Sequence, residues 1–489
     1  MGKGNLGNKI YGRLYLRISG VLDAPLLCGS GEEIESDSDV ILDSCGNPFL
    51  PGGSLAGVMR SYLNFKTEND TIKKRELMNL FGADREEIMM GTILDPVMQE
   101  RQSRLYVYDT PLVNSLLILR DGVRLNEKKT AVESAKYQYQ AIERGAGFAI
   151  RLEIIQREHD ILKESGNSLE EKLAKAQERD IQNIEICIAG MIRGELRVGA
   201  KTRRGFGSLA VKRVEVKAFH MIDHDDYKDW LNWDWENPQA FTGKKFHQIT
   251  EDNLSSQILK NRKIAEHHFV IPLKIDGTLL IREYGGKSLI NGGIPDSETL
   301  KIKGTEVSKA IVPGSTWAGV FRSRIASLMM KISEMDNWEQ AQSQLDAIFG
   351  TWNMKDITPI LPSRLIFEET VVCGGHDLPI TRNSIDRFTG GTVEGALFTE
   401  CVWTGGSVEA KVRIPDLPQE EVKPWIGMLL WVAKDLQNGL LSVGGEGSVG
   451  RGLFSRNGDI LFDGAVLENH DEYQKAAIRW CKAAVKGES

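Results

Sequence analysis

The residues best able to meet an anion lie in two glycine-rich segments. The first is Gly199-Ala200-Lys201-Thr202-Arg203-Arg204-Gly205-Phe206-Gly207, and the second is Gly444-Gly445-Glu446-Gly447-Ser448-Val449-Gly450-Arg451-Gly452. Glycine lets backbone N–H groups approach an anion closely, here around Gly199 and Gly445, while Lys201, Arg203 and Arg204 would neutralise phosphate. The second segment keeps only Arg451 of that basic set. Neither matches G-x-x-x-x-G-K-[ST], so a nucleotide P-loop is not expected. A turn that needs positive φ explains the glycines equally well.

A second pair of anion seats precedes two helical patterns. Gly52, Gly53 and Ser54 follow Pro51, and Gly314, Ser315 and Thr316 follow Pro313. Backbone N–H groups at a helix start suit phosphate, but an ordinary cap with Ser54 and with Ser315 or Thr316 is the plain alternative. Arg60 and Arg322 lie about two turns further on, where they either line the same groove or face solvent. The loop from Glu32 to Asp43 holds Asp37, Asp39 and Asp43 but lacks the glycine and terminal glutamate of a calcium loop. Beside RNA, a lone carboxylate can act as general base toward a ribose 2′-hydroxyl or hold a divalent ion on the phosphate. Spacing alone favours a solvated acidic loop. Two long insertions, 120–147 and 372–406, carry Arg124, Lys128 and Lys129, and Arg382 and Arg387. Such basic hairpins can grip a nucleic-acid backbone and push an apolar tip between bases, or can simply be surface hairpins. The histidines form no HxH or HExxH pattern, with His220 and His224 the one HxxxH spacing, and the six cysteines form no CxxC pair, so no metal-ligand set is expected.

The elements that position these residues occur twice. Pro51-Gly52-Gly53-Ser54-Leu55-Ala56-Gly57-Val58-Met59-Arg60-Ser61 returns as Pro313-Gly314-Ser315-Thr316-Trp317-Ala318-Gly319-Val320-Phe321-Arg322-Ser323. Leu80-Phe81-Gly82 returns as Ile348-Phe349-Gly350, Ser103-Arg104-Leu105 as Ser363-Arg364-Leu365, and Val198-Gly199 as Val443-Gly444. The matches keep their order, so the chain reads as two copies of one domain, 10–218 and 264–468. Each copy reads β-α-β-β-α-β, an α+β, ferredoxin-like (RRM-like) layout with a long hairpin inserted: an alternating first strand (12–18; 269–275), a helix before the glycine-rich segment (about 168–193; about 419–438) and a last strand (207–216; 452–462). Between them, 219–263 is a linker with Trp230, Trp233 and Trp235 among acids, expected to dock on a domain rather than stack bases. Residues 469–489 read as a short helical tail.

Composition sets the outer limits. The chain has 489 residues, 41% hydrophobic and 26% charged, which suits globular domains and excludes a disordered or coiled-coil protein. A net charge of −7 argues against a uniformly basic, duplex-binding surface but allows a local basic groove. The longest apolar stretch, Trp425 to Ala433, is too short to span a bilayer, and the N-terminus lacks an apolar leader core, so the expected compartment is the cytoplasm.

Taken together, these residues resemble the RAMP superfamily of CRISPR-associated proteins, and within it the Csm/Cmr-type backbone subunits of type III effector complexes. The likeness rests on the Asp-bearing loop, the Pro-Gly-Gly-Ser or Pro-Gly-Ser-Thr turn, the Leu-Phe-Gly or Ile-Phe-Gly end and the glycine-rich loop of the two copies. It rests also on Ile385-Asp386-Arg387-Phe388-Thr389-Gly390 and Gly395-Ala396-Leu397-Phe398, which match that family's thumb hairpin. Copy one departs from the thumb pattern at Leu125-Asn126-Glu127-Lys128-Lys129-Thr130. Two fused copies look like the double-domain subunits of type III-D complexes. The resemblance implies binding of guide RNA, partner effector subunits, and cleavage of target single-stranded RNA with a divalent metal, Mg2+ or Mn2+. It places the cleaving aspartates at Asp37, with Asp39 as rival, and at Asp296 in a looser alignment that leaves copy two's activity open. Two other readings share the architecture: a non-catalytic guide-binding subunit, and a guide-processing endonuclease. The latter usually relies on a histidine near the glycine-rich loop, and neither 194–210 nor 440–456 contains one. A metabolic enzyme on a duplicated ferredoxin-like fold would need a small-molecule pocket motif, and none is found.

Overall fold

The computed structural model describes residues 9–66, 79–82, 102–128, 130–237, 246–249, 266–283, 295–351 and 360–486. Copy one begins with β1 (Ile10–Leu22), in which Leu14, Leu16 and Ile18 point to one face while Arg13, Tyr15 and Arg17 point to the other. Helix α1 (Gly52–Lys66), strand β2 (Leu105–Val107) and the hairpin β3 (Leu117–Leu125) and β4 (Ala131–Ile142) follow. Strand β5 (Gly147–Arg157), helix α2 (Leu169–Ile192) and strand β6 (Leu209–His220) complete the copy. The sheet order is β2-β5-β1-β6 with antiparallel neighbours, which is the ferredoxin-like arrangement. Met59 and Leu63 of α1 and Ile184 and Ile188 of α2 close the core over the apolar face of β1. Ser168 caps α2 by accepting from Glu171 N at 3.1 Å, and Glu170 and Glu171 occupy its first turn.

In the linker, helix α3 (His224–Leu231) folds back on copy one, and β7 (Phe246–Ile249) pairs with β6 as a further edge strand. The expected boundary at 218 therefore falls inside β6, and the linker extends the first sheet instead of merely bridging the copies. The expected start of copy two, 264, lies outside the described residues.

Copy two repeats the plan. It runs β8 (Glu266–Asp276), β9 (Ser297–Thr299), α4 (Gly314–Ile332), β10 (Ile366–Phe367) and the hairpin β11 (His376–Ile385) and β12 (Thr392–Thr404). Then come β13 (Ser407–Pro415), α5 (Gln419–Gln437), β14 (Leu453–Arg456), β15 (Leu461–Phe462) and the tail helix α6 (His470–Lys486). The sheet order is β10-β13-β8, with β14 and β15 sharing the far edge of β8. The single last strand expected at 452–462 is thus two short ones. Ala477, Cys481 and Ala484 of α6 join the second core.

One local expectation fails in both copies. The helices begin at Gly52 and Gly314, and Pro313 (φ −61°, ψ 146°) is the N-cap of α4. Ser54, Ser315 and Thr316 sit within the first turn instead. Proline pre-sets the entry angle, and Gly52 N donates to Asp109 Oδ1 at 2.7 Å, so the cap of α1 comes from the strand end beside it.

Candidate nucleic-acid interface and aspartate centres

Asp37 and Asp296 occupy the same place in the two copies. Asp37 N donates to Gln138 O at 3.0 Å and Asp37 Oδ2 accepts from Gln138 N at 2.6 Å. Asp296 N donates to Thr399 O at 2.9 Å and Asp296 Oδ2 accepts from Thr399 N at 2.8 Å. Each exposed carboxylate is therefore clamped about midway along a hairpin, on β4 or β12, by one backbone amide. The looser alignment of Asp296 acquires a geometric match. The rival Asp39 is buried and does another job: its carboxylate accepts from Ile34 N (2.7 Å), Glu35 N (3.0 Å) and Ser36 Oγ (2.6 Å). The Ser36 hydroxyl, followed by the Glu35 amide, holds the Asp39 carboxyl below the usual carboxylate range. Asp39 stiffens the loop that presents Asp37. Among the described residues no group of three or more His, Cys, Asp or Glu side chains converges into a metal cage. A single exposed carboxylate clamped through one oxygen suits an ion shared with a phosphate, the manner in which Mg2+ is commonly held.

The hairpins are the expected thumbs. At the second tip Asp386 Oδ1 accepts from Phe388 N (3.0 Å), Thr389 N (2.7 Å) and Thr389 Oγ1 (3.0 Å), and the Thr389 amide leads in holding that carboxyl low. This turn leaves Phe388 99% exposed beside exposed Ile385 and Leu397. At the first tip Asn126 takes the part of Asp386, accepting from Thr130 N at 3.0 Å. Copy one's departure from the thumb pattern thus keeps the turn and sets exposed Lys128 opposite Phe388 in the comparison. Arg124 and Arg387 lie on these hairpins, and Lys129 lies outside the described residues.

The glycine-rich loops differ sharply in charge. Lys201 and Glu446 share one backbone state, φ 56° and 57°, each before a short 3-10 turn. Lys201 Nζ donates to Tyr137 OH at 3.1 Å and lies over the rings of Tyr137 (4.7 Å) and Tyr139 (4.2 Å) on β4. Glu446 instead accepts from Arg282 (2.9 Å), Arg382 (2.8 Å) and Arg451 (3.0 Å), while fully buried Glu400 takes Arg451 at 2.7 Å and a short bond from Arg382. Burial alone would raise the Glu446 carboxyl, but Arg382 and Arg451 hold it below its ordinary range. Arg451 is thus engaged inside the protein, contrary to its expected phosphate role, while Arg382 makes its ion pairs at the surface with its side chain 38% exposed. The backbone cradle is also partly spent: Ala200 N donates to Leu27 O (2.7 Å) and Gly445 N to Leu280 O (2.8 Å). Gly199 and Gly444 turn the chain at φ 80° and 88°. At Gly207 and Gly452 a Cβ would overlap the carbonyl oxygen of Val198 or Val443, so the glycines close these loops as well.

The expected groove role also fails at Arg322. It is buried and donates to Gln342 Oε1 (2.6 Å), Gly350 O (2.5 Å) and Asp346 Oδ1 (2.5 Å), so it ties α4 to the Phe349-Gly350 end. Arg60 lies half-buried on α1, and Gly53, Ser54 and Ser315 are exposed at their helix starts. Gly52 and Gly314 are buried under neighbouring carbonyls, Val107 O for the first and Phe367 O and Arg204 O for the second. That last contact joins the copies. Arg204 reaches Phe349 O at 3.5 Å, and burial beside Arg322 lowers its guanidinium to about 10. Arg203 remains exposed.

Sequence reasoning missed the junction altogether. Adjacent Glu368 and Glu369 of copy two enter copy one: Arg197 donates to Glu368 at 3.2 Å, and Arg144 donates to Glu369 at 2.5 Å. Arg413 joins the same Glu368 and donates to Arg193 O at 2.5 Å. Burial, with Arg413 nearby, brings Arg197 down to about 10. The alternation of Tyr137 and Tyr139 along β4 was the one signal in sequence for the rings under Lys201.

No helix among the described residues is long and apolar enough to cross a membrane. A search of the curated proteins found no significant match. The family model described as RAMP superfamily matches residues 22–210 and 289–455, one stretch in each copy. The chain, with two ferredoxin-like copies and a thumb in each, belongs to the RAMP superfamily.

Proposed function

We propose that the chain is a backbone subunit of a type III CRISPR effector complex that binds guide RNA and cuts complementary target RNA at two positions. RAMP proteins bind RNA within CRISPR assemblies, and the observation that carries the finer reading is the doubled aspartate clamp. Asp37 and Asp296 make the same two bonds midway along equivalent thumbs. The thumb tips, Lys128 in one copy and Phe388 in the other, would wedge into a guide–target duplex and expose a linkage beside each aspartate. With Oδ2 held by an amide, the remaining oxygen presents fixed negative charge to that linkage. It can take the 2′-hydroxyl proton as general base. A divalent ion, Mg2+ or Mn2+, would be held by Asp37 or Asp296 together with phosphate oxygens and would neutralise charge there. Lys201, Arg203, Arg124, Arg387 and Lys128 remain the proposed phosphate contacts, with the exposed helix starts at Gly53 and Ser54 and at Ser315. Partner subunits and a cytoplasmic setting belong to the same reading.

Purification of the chain with its neighbouring subunits and a CRISPR array tests the guide. RNA of discrete length with repeat-derived 5′ sequence supports the reading. A random cellular mixture, or no RNA, contradicts it.

A further inference from the structure

The open face of copy one's sheet, opposite its helices, carries Arg13, Tyr15 and Arg17 on β1, Tyr108 just after β2, Arg151 and Glu153 on β5, and Phe219 on β6. In RRM-type sheets this is the face on which bases stack on aromatic rings while basic side chains take the phosphates. The linker covers it. Trp233 lies 4.8 Å and Trp235 5.5 Å from the Tyr15 ring, and Trp230 Nε1 donates to Tyr15 OH at 2.9 Å. Trp233 also meets Phe219 edge-on at 5.5 Å, and Trp235 meets Tyr108 at 6.0 Å. The arginines are taken up in step. Arg13 lies over Trp230 at 4.7 Å, Arg17 donates to Trp235 O at 2.9 Å, and Arg151 pairs with Glu236. Tyr15 is left 4% exposed.

Charge follows the same division. The strap from 223 to 236 carries Asp223, Asp225, Asp226, Asp229, Asp234 and Glu236 against one Lys228. The face beneath carries Arg13, Arg17, Arg151, Arg213 and Lys217 against Glu153 and Glu215. The equivalent bridges Val113–Gly147 and Cys373–Ser407 align the copies here. Through the strand registers they set Glu266, His268 and Val270 of copy two at the places of Arg13, Tyr15 and Arg17. Copy two lacks the aromatic–arginine set, and its counterpart of Tyr108 is Glu368, spent at the junction.

We propose that this face of copy one is a second, latent single-stranded nucleic-acid platform, and that the linker strap is an internal mimic that holds it shut. The indoles take the places of bases and Glu236 that of a phosphate. A strap on the same chain competes at an effective concentration on the order of mM, enough to exclude passing RNA and leave the thumb side as the open surface. The proposal stands apart from guided cleavage and does not need it.

The test is binding of a labelled single-stranded RNA of about ten nucleotides to the full chain, followed by anisotropy at low salt. Replacing the indoles together (W230A/W233A/W235A) is expected to tighten binding at least about tenfold. D234N/E236Q keeps every ring, so it reports even where the triple variant does not fold, and its expected gain is about threefold. Adding R17Q and R151Q should abolish either gain. Unchanged affinity in a folded D234N/E236Q chain overturns the proposal, as does a gain that survives R17Q and R151Q.

Discussion

Lys201 and Glu446 sit in the left-handed backbone region, which costs a side-chain-bearing residue about 1 kcal/mol relative to glycine. Both copies bear that cost, and each uses the side chain differently. In copy one the ammonium rests on two tyrosines beside the Asp37 clamp; in copy two a carboxylate gathers three arginines. K201G should therefore keep or slightly raise the melting temperature while weakening RNA binding several-fold and lowering its salt slope by about 1. An unchanged salt slope would remove Lys201 from the RNA surface. Glu400 is fully buried, and E400A should cost about 1.5–3 kcal/mol by leaving buried Arg451 with Glu446 as its remaining carboxylate, read as a lowered unfolding midpoint in urea. Asp37 and Asp296 were legible in the sequence through a family likeness, not through their own neighbours. Their clamps lie about a hundred residues away, on Gln138 and Thr399, which no local pattern connects to an acidic loop. Separations too long for any helical or strand period also hid the burial of Arg322 by Gln342 and Asp346, and of Arg451 by Glu400.

Periodicity made the elements readable. Alternation gave β1 and β8, and the helices expected at about 168–193 and 419–438 are α2 and α5 almost residue for residue. The helix caps were misjudged because serine is a good N-cap in general, whereas here proline and a buried glycine fit the turn under a neighbouring carbonyl. The thumbs carry their own turn chemistry, with Asp386 or Asn126 closing the tip. F388A keeps that closure and removes only the wedge. It should leave guide binding intact and slow one of the two target cuts about tenfold, the worth of one stacked ring. Equal slowing of both cuts would separate Phe388 from the copy-two centre.

At the scale of the molecule the duplication is not a string of two independent beads. Glu368 and Glu369 enter arginine clusters of copy one, the start of α4 packs on the Arg204 carbonyl, and the Trp strap binds the first sheet on its other face. Removing Glu368 leaves Arg197 and Arg413 facing each other, so E368A should cost about 3 kcal/mol and loosen the two copies, seen as a lower melting temperature and faster proteolysis between them. This junction fixes where the two clamped aspartates stand relative to one another, which is what a subunit making two regularly spaced cuts requires. The most direct test is the product ladder from a guide-paired target RNA, cut by complexes carrying wild-type chain, D37A, D296A or both. The account predicts that each single variant erases one band, a different one in each case, that the double variant erases both, and that guide content stays unchanged. A full ladder from the double variant would contradict it.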